Sequence, residues 1–145
     1  MSKVVVFVCV HNSGRSQMAE AFFNQMAAGK ALALSAGTQP GGSVNPVVVE
    51  AMREVGIDIS NNKPKMLTME MVEHADKMIT MGCGADAGGL CPAGFIETDD
   101  WALADPRGKS LEQVRIIREE IRKRVSNLLL DMTSEQNTIS DQLAP

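Results

Sequence analysis

The chain has 145 residues, of which 44% are hydrophobic and 22% are charged, and its formal net charge is −4. This length suits one globular domain with a substantial core. The acidic balance, the absence of tyrosine and the single tryptophan disfavour nucleic-acid binding, which needs a basic patch and stacking aromatic rings. The apolar runs are too short to cross a membrane, and from the residues before the first strand we expect no signal peptide. Three cysteines without the spacing of a secreted disulfide scaffold favour a cytoplasmic protein.

Predicted strands and helices alternate along the chain, which is the pattern of a parallel sheet covered by helices on both faces. The first strand is predicted over Lys3–Cys9, and the helix after it extends to about Ala28. A second strand is expected over Ala31–Ala36. The sequence therefore predicts an α/β fold of three layers, α/β/α.

The segment CVHNSGRS, residues 9 to 16, joins the first strand to the first helix. Backbone N–H groups of such a loop and of the helix start converge on one point and favour negative charge there. Arg15 adds a planar fork that grips two oxygens of a tetrahedral anion. The same field favours the thiolate form of Cys9, to which Ser16 is placed to donate its hydroxyl. The predicted oxyanion-binding residues are Val10, His11, Asn12, Ser13, Gly14 and Arg15.

The middle of the chain continues the alternation. Asn45 followed by proline predicts a helix start, and Gly56 predicts the end of that helix. A short helix is predicted over Thr68–His74 and a third strand over Lys77–Met81. A fourth, short strand is expected to include Phe95 and Ile96. The methionines in this stretch are interpreted as adaptable core residues: Met66, Met69, Met71, Met78 and Met81.

The last helix has the clearest signals. Ser110 and Gln113 form a capping box, and apolar residues recur at helical spacing from Val114 to Leu128. The tail from Thr133 to Pro145 is polar and aperiodic, and it is predicted to be frayed. We therefore expect one catalytic domain, residues 1–132, and a polar C-terminal tail, residues 133–145.

Cys83 and Cys91 flank a glycine-rich segment. The segment permits two interpretations, two unrelated thiols or a redox pair whose glycines allow movement. A metal pair is disfavoured because the spacing is not that of a zinc chelate, so no metal or cofactor is predicted. Asp105 precedes a proline, which indicates either a plain turn or a turn that holds a general acid over the anion site.

The stretch VFVCVHNSGRSQMAE, residues 6 to 20, resembles the start of thioredoxin-coupled arsenate reductases. These enzymes share the fold of low-molecular-weight protein tyrosine phosphatases, which has a central four-stranded parallel sheet. The resemblance recurs at residues 35–37, 45–46, 56–60, 79–83 and 101–106. It covers nearly the whole chain except the last dozen residues.

The resemblance implies a reaction and its catalytic residues. Cys9 attacks arsenate while Asp105 protonates the leaving oxygen, and Cys83 then attacks the Cys9 sulfur and releases arsenite. Cys91 takes over the disulfide, and thioredoxin or a similar dithiol reduces it. Phosphate and sulfate are expected to compete with arsenate, and we expect a monomer.

Two other functions remain open. A phosphotyrosine phosphatase acting through phospho-Cys9 needs only Cys9, Arg15 and Asp105. The absence of tyrosine disfavours it, since the phosphatase relatives line their substrate cleft with aromatic residues beside the acid, where this chain has Arg107. A non-catalytic sensor of oxyanions or redox state is the third interpretation.

The resemblance also suggests a cation site. Asn12, Glu20 and Ser35 are similar to residues that bind a monovalent cation in some relatives. We expect the Lys63 ammonium to replace that ion near Glu20. His11 is interpreted as loop scaffold or rim, with its role open.

Overall fold

The computed structural model describes residues 3–81 and 99–143, and it describes side chains in the last helix as far as residue 133. The strands are β1 (Lys3–Cys9), β2 (Ala31–Gly37), β3 (Lys77–Thr80) and β4 (Asp99–Asp100). The helices are α1 (Arg15–Ala27), α2 (Pro46–Arg53), α3 (Met69–His74) and α4 (Leu111–Leu143).

The four strands form one parallel sheet in the order β2-β1-β3-β4. Parallel neighbours need crossover connections. Helix α1 lies in the connection from β1 to β2, and helices α2 and α3 lie in the connection from β2 to β3. The predicted α/β class and the four-stranded parallel sheet are confirmed.

Strand β1 is buried on both faces, which explains its continuous apolar run. Val5 and Phe7 point to the larger core, where α1, α2 and α4 pack. Val6 and Val8 point to the opposite face, where α3 contributes Met71 to a smaller core. Helices therefore cover both faces, and the three-layer prediction is confirmed.

Local capping signals act as the sequence predicts. The Asn45 side chain accepts a hydrogen bond of 2.9 Å from the Val47 N–H at the start of α2. At the start of α4, Ser110 Oγ accepts from the Gln113 N–H at 3.2 Å, and Gln113 Oε1 accepts from the Ser110 N–H at 3.1 Å. Both caps satisfy backbone donors that a helix start would otherwise leave unpaired.

One prediction needs correction, and one concerns residues outside the described part of the chain. The tail was predicted to fray from Thr133, whereas α4 continues to Leu143. No glycine or proline interrupts residues 133–143, so the loss of apolar spacing there does not end the helix. The fourth strand is β4 in the described part of the chain, while Phe95 and Ile96 lie outside it.

The interpretation of the methionines is correct for some positions and wrong for others. Met78 and Met81 are buried in the two cores. Met66 and Met69 are 56% and 70% exposed; Met66 lies in an isolated bridge to Gly37, and Met69 begins the short helix α3.

Candidate active site

The candidate site lies at the carboxyl end of β1. The chain passes from β1 to β2 on one side of β1 and then crosses back from β2 to β3 on its other side. Such switch points open a crevice at the carboxyl ends of parallel strands, where ligands bind in α/β proteins. Residues 9 to 16, hereafter the oxyanion loop, occupy this position.

Cys9 ends the strand with its side chain buried. Its sulfur lies 2.8 Å from Ser16 Oγ and accepts a hydrogen bond of 3.2 Å from the Asn12 N–H. Donors directed at sulfur stabilise a negative charge there. The geometry makes Cys9 a candidate nucleophile, with Ser16 beside it as the sequence predicts.

The carbonyl groups of the oxyanion loop bond to the connection between β2 and α2. Val10 O accepts from the Gln39 N–H at 2.8 Å, and Ser13 O accepts from the Asn45 N–H at 2.8 Å. Gly37 permits the close approach, since a Cβ on it would lie 2.7 Å from Val10 O. With the carbonyl groups turned outward, the loop can present its N–H groups to an anion.

Arg15 is buried although it is charged. Its Nη1 donates to Leu103 O at 3.1 Å, and its Nη2 lies 3.8 Å from Asp105 Oδ2. Asp105 belongs to residues 101–107, hereafter the acid segment, and its Oδ1 accepts from the Arg107 N–H at 3.0 Å. The fold thus brings Arg15 and Asp105 together across 90 positions of sequence, as the site prediction requires.

A cavity of about 560 Å³ opens above Cys9. The residues that line its walls include six whose side chains can contact an anion or take part in its chemistry: Cys9, His11, Arg15, Gln39, Asp105 and Arg107. His11 Nδ1 lies 3.0 Å from Gln39 O, and because a carbonyl only accepts, that nitrogen carries a proton. His11 therefore lies at the rim, where the sequence analysis expects it.

Trp101 anchors the start of the acid segment. Its backbone N–H donates to Thr80 O at 2.7 Å, and its ring centroid lies 5.6 Å from that of Phe7 in the larger core. The Arg124 guanidinium lies 6.0 Å from the ring centroid. Trp101 thus packs at the base of the acid segment.

The expected role of Lys63 is wrong. It is Lys65 whose Nζ lies 3.7 Å from Glu20 Oε2, while Lys63 contributes only its backbone carbonyl, 3.4 Å from Gln17 Nε2. Asn12 Oδ1 already accepts two hydrogen bonds, from Gln17 and from the Lys65 N–H. The Lys65 ammonium therefore takes the place near Glu20 that the sequence analysis expects for Lys63.

Two predicted catalytic residues, Cys83 and Cys91, lie outside the described residues. Three residues that the sequence analysis did not single out contact the site from behind: Gln17, Asn62 and Lys65. Within residues 3–81 and 99–143, no group of three or more His, Cys, Asp or Glu side chains is placed to hold a metal ion. No helix among these residues is long and apolar enough to cross a membrane.

Comparison with known proteins agrees with the geometry, in which Cys9 is a candidate nucleophile in an anion-binding loop. The model of the low molecular weight phosphotyrosine protein phosphatase family matches residues 4–138. The chain belongs to this family. A putative arsenate reductase of Halobacterium salinarum is 40% identical over 127 residues, which cover 84% of this chain and 87% of that protein. A glutaredoxin arsenate reductase of Synechocystis is 39% identical, over 88% of this chain and 96% of that protein.

Among solved structures, a thioredoxin-dependent arsenate reductase of Corynebacterium glutamicum superposes with a TM-score of 0.76 at 33% identity. The match covers 92% of this chain and spans 63% of the Corynebacterium chain. The resemblance on which the sequence analysis relied is confirmed by these relatives.

Proposed function

We propose that this protein reduces arsenate to arsenite with Cys9 as the nucleophile. The observation that carries the proposal is the cavity in which Cys9, Arg15 and Asp105 meet. A buried thiol with two hydrogen-bond donors suits attack on a tetrahedral centre. The arginine fork suits the anion, and the carboxyl suits protonation of a leaving oxygen.

The proposed first step forms a bond from Cys9 sulfur to arsenic. Backbone N–H groups of the oxyanion loop and Arg15 hold three arsenate oxygens, and the fourth leaves as water after protonation by Asp105. Arsenic remains pentavalent in this adduct. The same chemistry applied to phosphate esters gives phospho-Cys9, so weak phosphatase activity is expected as a side reaction.

The proposed second step is the redox step. The Cys83 thiolate attacks Cys9 sulfur, an S–S bond forms, and the S–As bond breaks with its electron pair on arsenic. Arsenite leaves, so two electrons have passed from the two sulfurs to arsenic. Cys91 then attacks Cys83, which frees the Cys9 thiolate and leaves a Cys83–Cys91 disulfide.

An external dithiol closes the cycle by reducing that disulfide. Thioredoxin is the proposed donor, supported by the Corynebacterium relative described as thioredoxin-dependent. The Synechocystis relative carries glutaredoxin in its name, so glutaredoxin is the alternative dithiol to compare in the assay.

The relay is tested by Cys83→Ser. We expect one turnover at most with arsenate and thioredoxin, while hydrolysis of an aryl phosphate, which needs no relay, continues in the same variant. Steady-state arsenate reduction by Cys83→Ser would exclude the relay. Loss of aryl phosphate hydrolysis as well would place Cys83 in the first step and contradict its assignment to the second.

The competing function is a phosphatase proper. It is favoured by the family match and by the fact that Cys9, Arg15 and Asp105 suffice for phosphoryl transfer. It leaves Cys83 and Cys91 without a role, and it predicts the same aryl phosphate activity with or without these two thiols.

A further inference from the structure

A chain of three amides lies behind the oxyanion loop, away from the cavity: Asn12 and Gln17, which are buried, and Asn62, which is exposed. Gln17, in the first turn of α1, is fully buried. Its Nε2 donates to Asn12 Oδ1 at 3.0 Å and to Asn12 O at 3.2 Å. Its Oε1 accepts from Asn62 Nδ2 at 3.2 Å. A buried amide without such partners would destabilise the fold, so these contacts fix which end of the Gln17 amide faces Asn12.

The orientation of the Gln17 amide helps to fix the orientation of the Asn12 amide. Asn12 Oδ1 accepts from Gln17 Nε2 and also from the Lys65 N–H at 2.9 Å. With its oxygen held by two donors, the Asn12 amide turns its Nδ2 toward Ser16 and donates to Ser16 Oγ at 2.7 Å. Asn12 has φ of 52°, a left-handed conformation that asparagine tolerates better than most residues.

The orientation of the Asn12 amide in turn fixes the direction of the hydrogen bond between Ser16 and Cys9. A serine hydroxyl has one proton. Because Ser16 Oγ accepts from Asn12, its own proton is free for Cys9 Sγ, 2.8 Å away. If the Asn12 amide were turned round, Ser16 would donate to Asn12 Oδ1 and the sulfur would lose that donor.

We propose that Gln17, held by Asn62, is a positioning residue that sets the direction of the Ser16 hydrogen bond to Cys9 and so the reactivity of the thiol at neutral pH. Gln17 is absent from the cavity wall, so it acts through Asn12 and Ser16. The proposal rests on Cys9 being the nucleophile of the proposed function. It does not depend on which oxyanion the nucleophile attacks.

Two variants test the orientation of the Gln17 amide: one removes the amide, and the other is designed to reverse it. Gln17→Met keeps the length of the side chain and removes its donor and its acceptor. Asn62→Asp is isosteric at an exposed position, and it replaces the donor with a second acceptor. Gln17 is then expected to turn its Nε2 toward residue 62 and its oxygen toward Asn12. The matched controls are Gln25→Met, exposed on the same helix, and Asn61→Asp, the exposed neighbour.

The test is alkylation of Cys9 by iodoacetamide in a Cys83→Ser, Cys91→Ser background, where Cys9 is the single cysteine of the chain. At neutral pH we expect Gln17→Met to react about tenfold more slowly and Asn62→Asp about threefold more slowly, since one donor to the thiolate is lost. At strongly alkaline pH, where the thiol is fully ionised, all variants are expected to react at similar rates. Gln25→Met and Asn61→Asp are expected to match the parent at both pH values.

The proposal is overturned if both variants react as fast as the parent at neutral pH. It is also overturned if they are slowed equally at both pH values, which indicates a distorted loop, or if Asn61→Asp is slowed as much as Asn62→Asp, which indicates a general charge effect. If Gln17→Met does not fold, Asn62→Asp decides the outcome. The assay contains no arsenate, so its failure leaves the proposed reduction of arsenate standing, and failure to reduce arsenate leaves this inference standing.

Discussion

The oxyanion loop and the acid segment face each other across one cavity, but they are held in different ways. In the oxyanion loop, Cys9, Asn12 and Ser16 are buried and joined by hydrogen bonds of 2.7 to 3.2 Å. In the acid segment, the Asp105 side chain is 50% exposed and lies 3.8 Å from Arg15. The oxyanion loop is therefore held in place before substrate arrives, whereas Asp105 is joined to it by a longer contact with Arg15.

Because of this difference, we expect the oxyanion loop to control binding of the anion and Asp105 to control protonation of the leaving oxygen. Donors fixed in advance stabilise charge without reorganisation at the moment of reaction. A general acid tightens its contacts only when substrate is present, and its distance in the free protein is commonly longer. The comparison therefore predicts that changes in the oxyanion loop affect anion binding and turnover together, while changes at Asp105 affect turnover alone.

Arg15→Lys is expected to have the largest effect. Lysine keeps the charge but loses the planar fork and the bond from Nη1 to Leu103 O. We expect kcat/KM for arsenate to fall by about 10³ and competitive inhibition by phosphate to weaken strongly. Lys123→Arg, an exposed exchange on α4, is the control and leaves both unchanged. Unaltered phosphate inhibition in Arg15→Lys would contradict the assignment of Arg15 to the anion.

Asp105→Asn comes next. An amide keeps the shape of the carboxyl but cannot deliver the proton, so we expect kcat to fall by about 10² with inhibition by phosphate little changed. Asp131→Asn removes one negative charge from an exposed position of α4 and serves as control. Equal losses of phosphate affinity and turnover in Asp105→Asn would contradict the claim that Asp105 affects turnover and not anion binding.

Lys65→Gln tests the support behind the oxyanion loop. Removal of the ammonium leaves Glu20 without the cation that lies 3.7 Å from it. We expect kcat/KM to fall by about two- to fivefold and to be restored by potassium ions, whereas the parent protein is insensitive to potassium. Lys63→Gln is the matched control and behaves like the parent. Strong potassium activation of the parent would show that Lys65 does not take the place of an ion.

Glu54→Gln has the smallest expected effect and acts on the packing of α2 against α4. Glu54 caps α2, whose first turn contacts the oxyanion loop, and it pairs with Arg115 and Arg118 of α4. The hydrogen bond from Arg115 above all, with Arg118, lowers the pKa of Glu54 from 4.5 to about 2. A lowered pKa contributes stability above the unfolded value, and that contribution is lost as pH falls through the folded value.

Denaturation by urea therefore distinguishes two pH ranges. Glu54→Gln is expected to be less stable than the parent at neutral pH, and the difference is expected to shrink as pH falls from 4.5 to about 2. Glu50→Gln, which removes an exposed pair with Arg53 on the same helix, is the control and shows little difference at either pH. A stability gap for Glu54→Gln that stays constant down to pH 2 would contradict this pairing.

Features that depend on local chemistry were predictable from the sequence. The apolar run before Cys9, the capping residues Asn45 and Ser110 and the proline after Asp105 each act within a few residues of chain. The pairing of Arg15 with Asp105 joins distant segments, and the resemblance to a known family supplied it. The roles of Cys83 and Cys91 rest on that resemblance and on the proposed relay.

Features that depend on which way a side chain points were not predictable. Lys63 and Lys65 flank a proline in a segment without periodicity, and only the parallel bridge from Gly37 to Met66 decides that the Lys65 N–H reaches Asn12. Gln17 is a polar residue beside the apolar Met18, and its burial depends on the packing of α1, which the sequence does not show. Helix α4 continues past Thr133 because the residues there are compatible with helical backbone, but no apolar periodicity in the sequence indicates this continuation.

The central claim is that the anion site performs a redox reaction with an external dithiol. Its most direct test follows oxidation of reduced thioredoxin by the whole chain, with and without arsenate, beside hydrolysis of an aryl phosphate under the same conditions. We predict that arsenate drives continuous oxidation of thioredoxin with release of arsenite, and that hydrolysis of the aryl phosphate is slow. A protein that hydrolyses the aryl phosphate rapidly and leaves both thioredoxin and glutaredoxin reduced in the presence of arsenate would contradict the account.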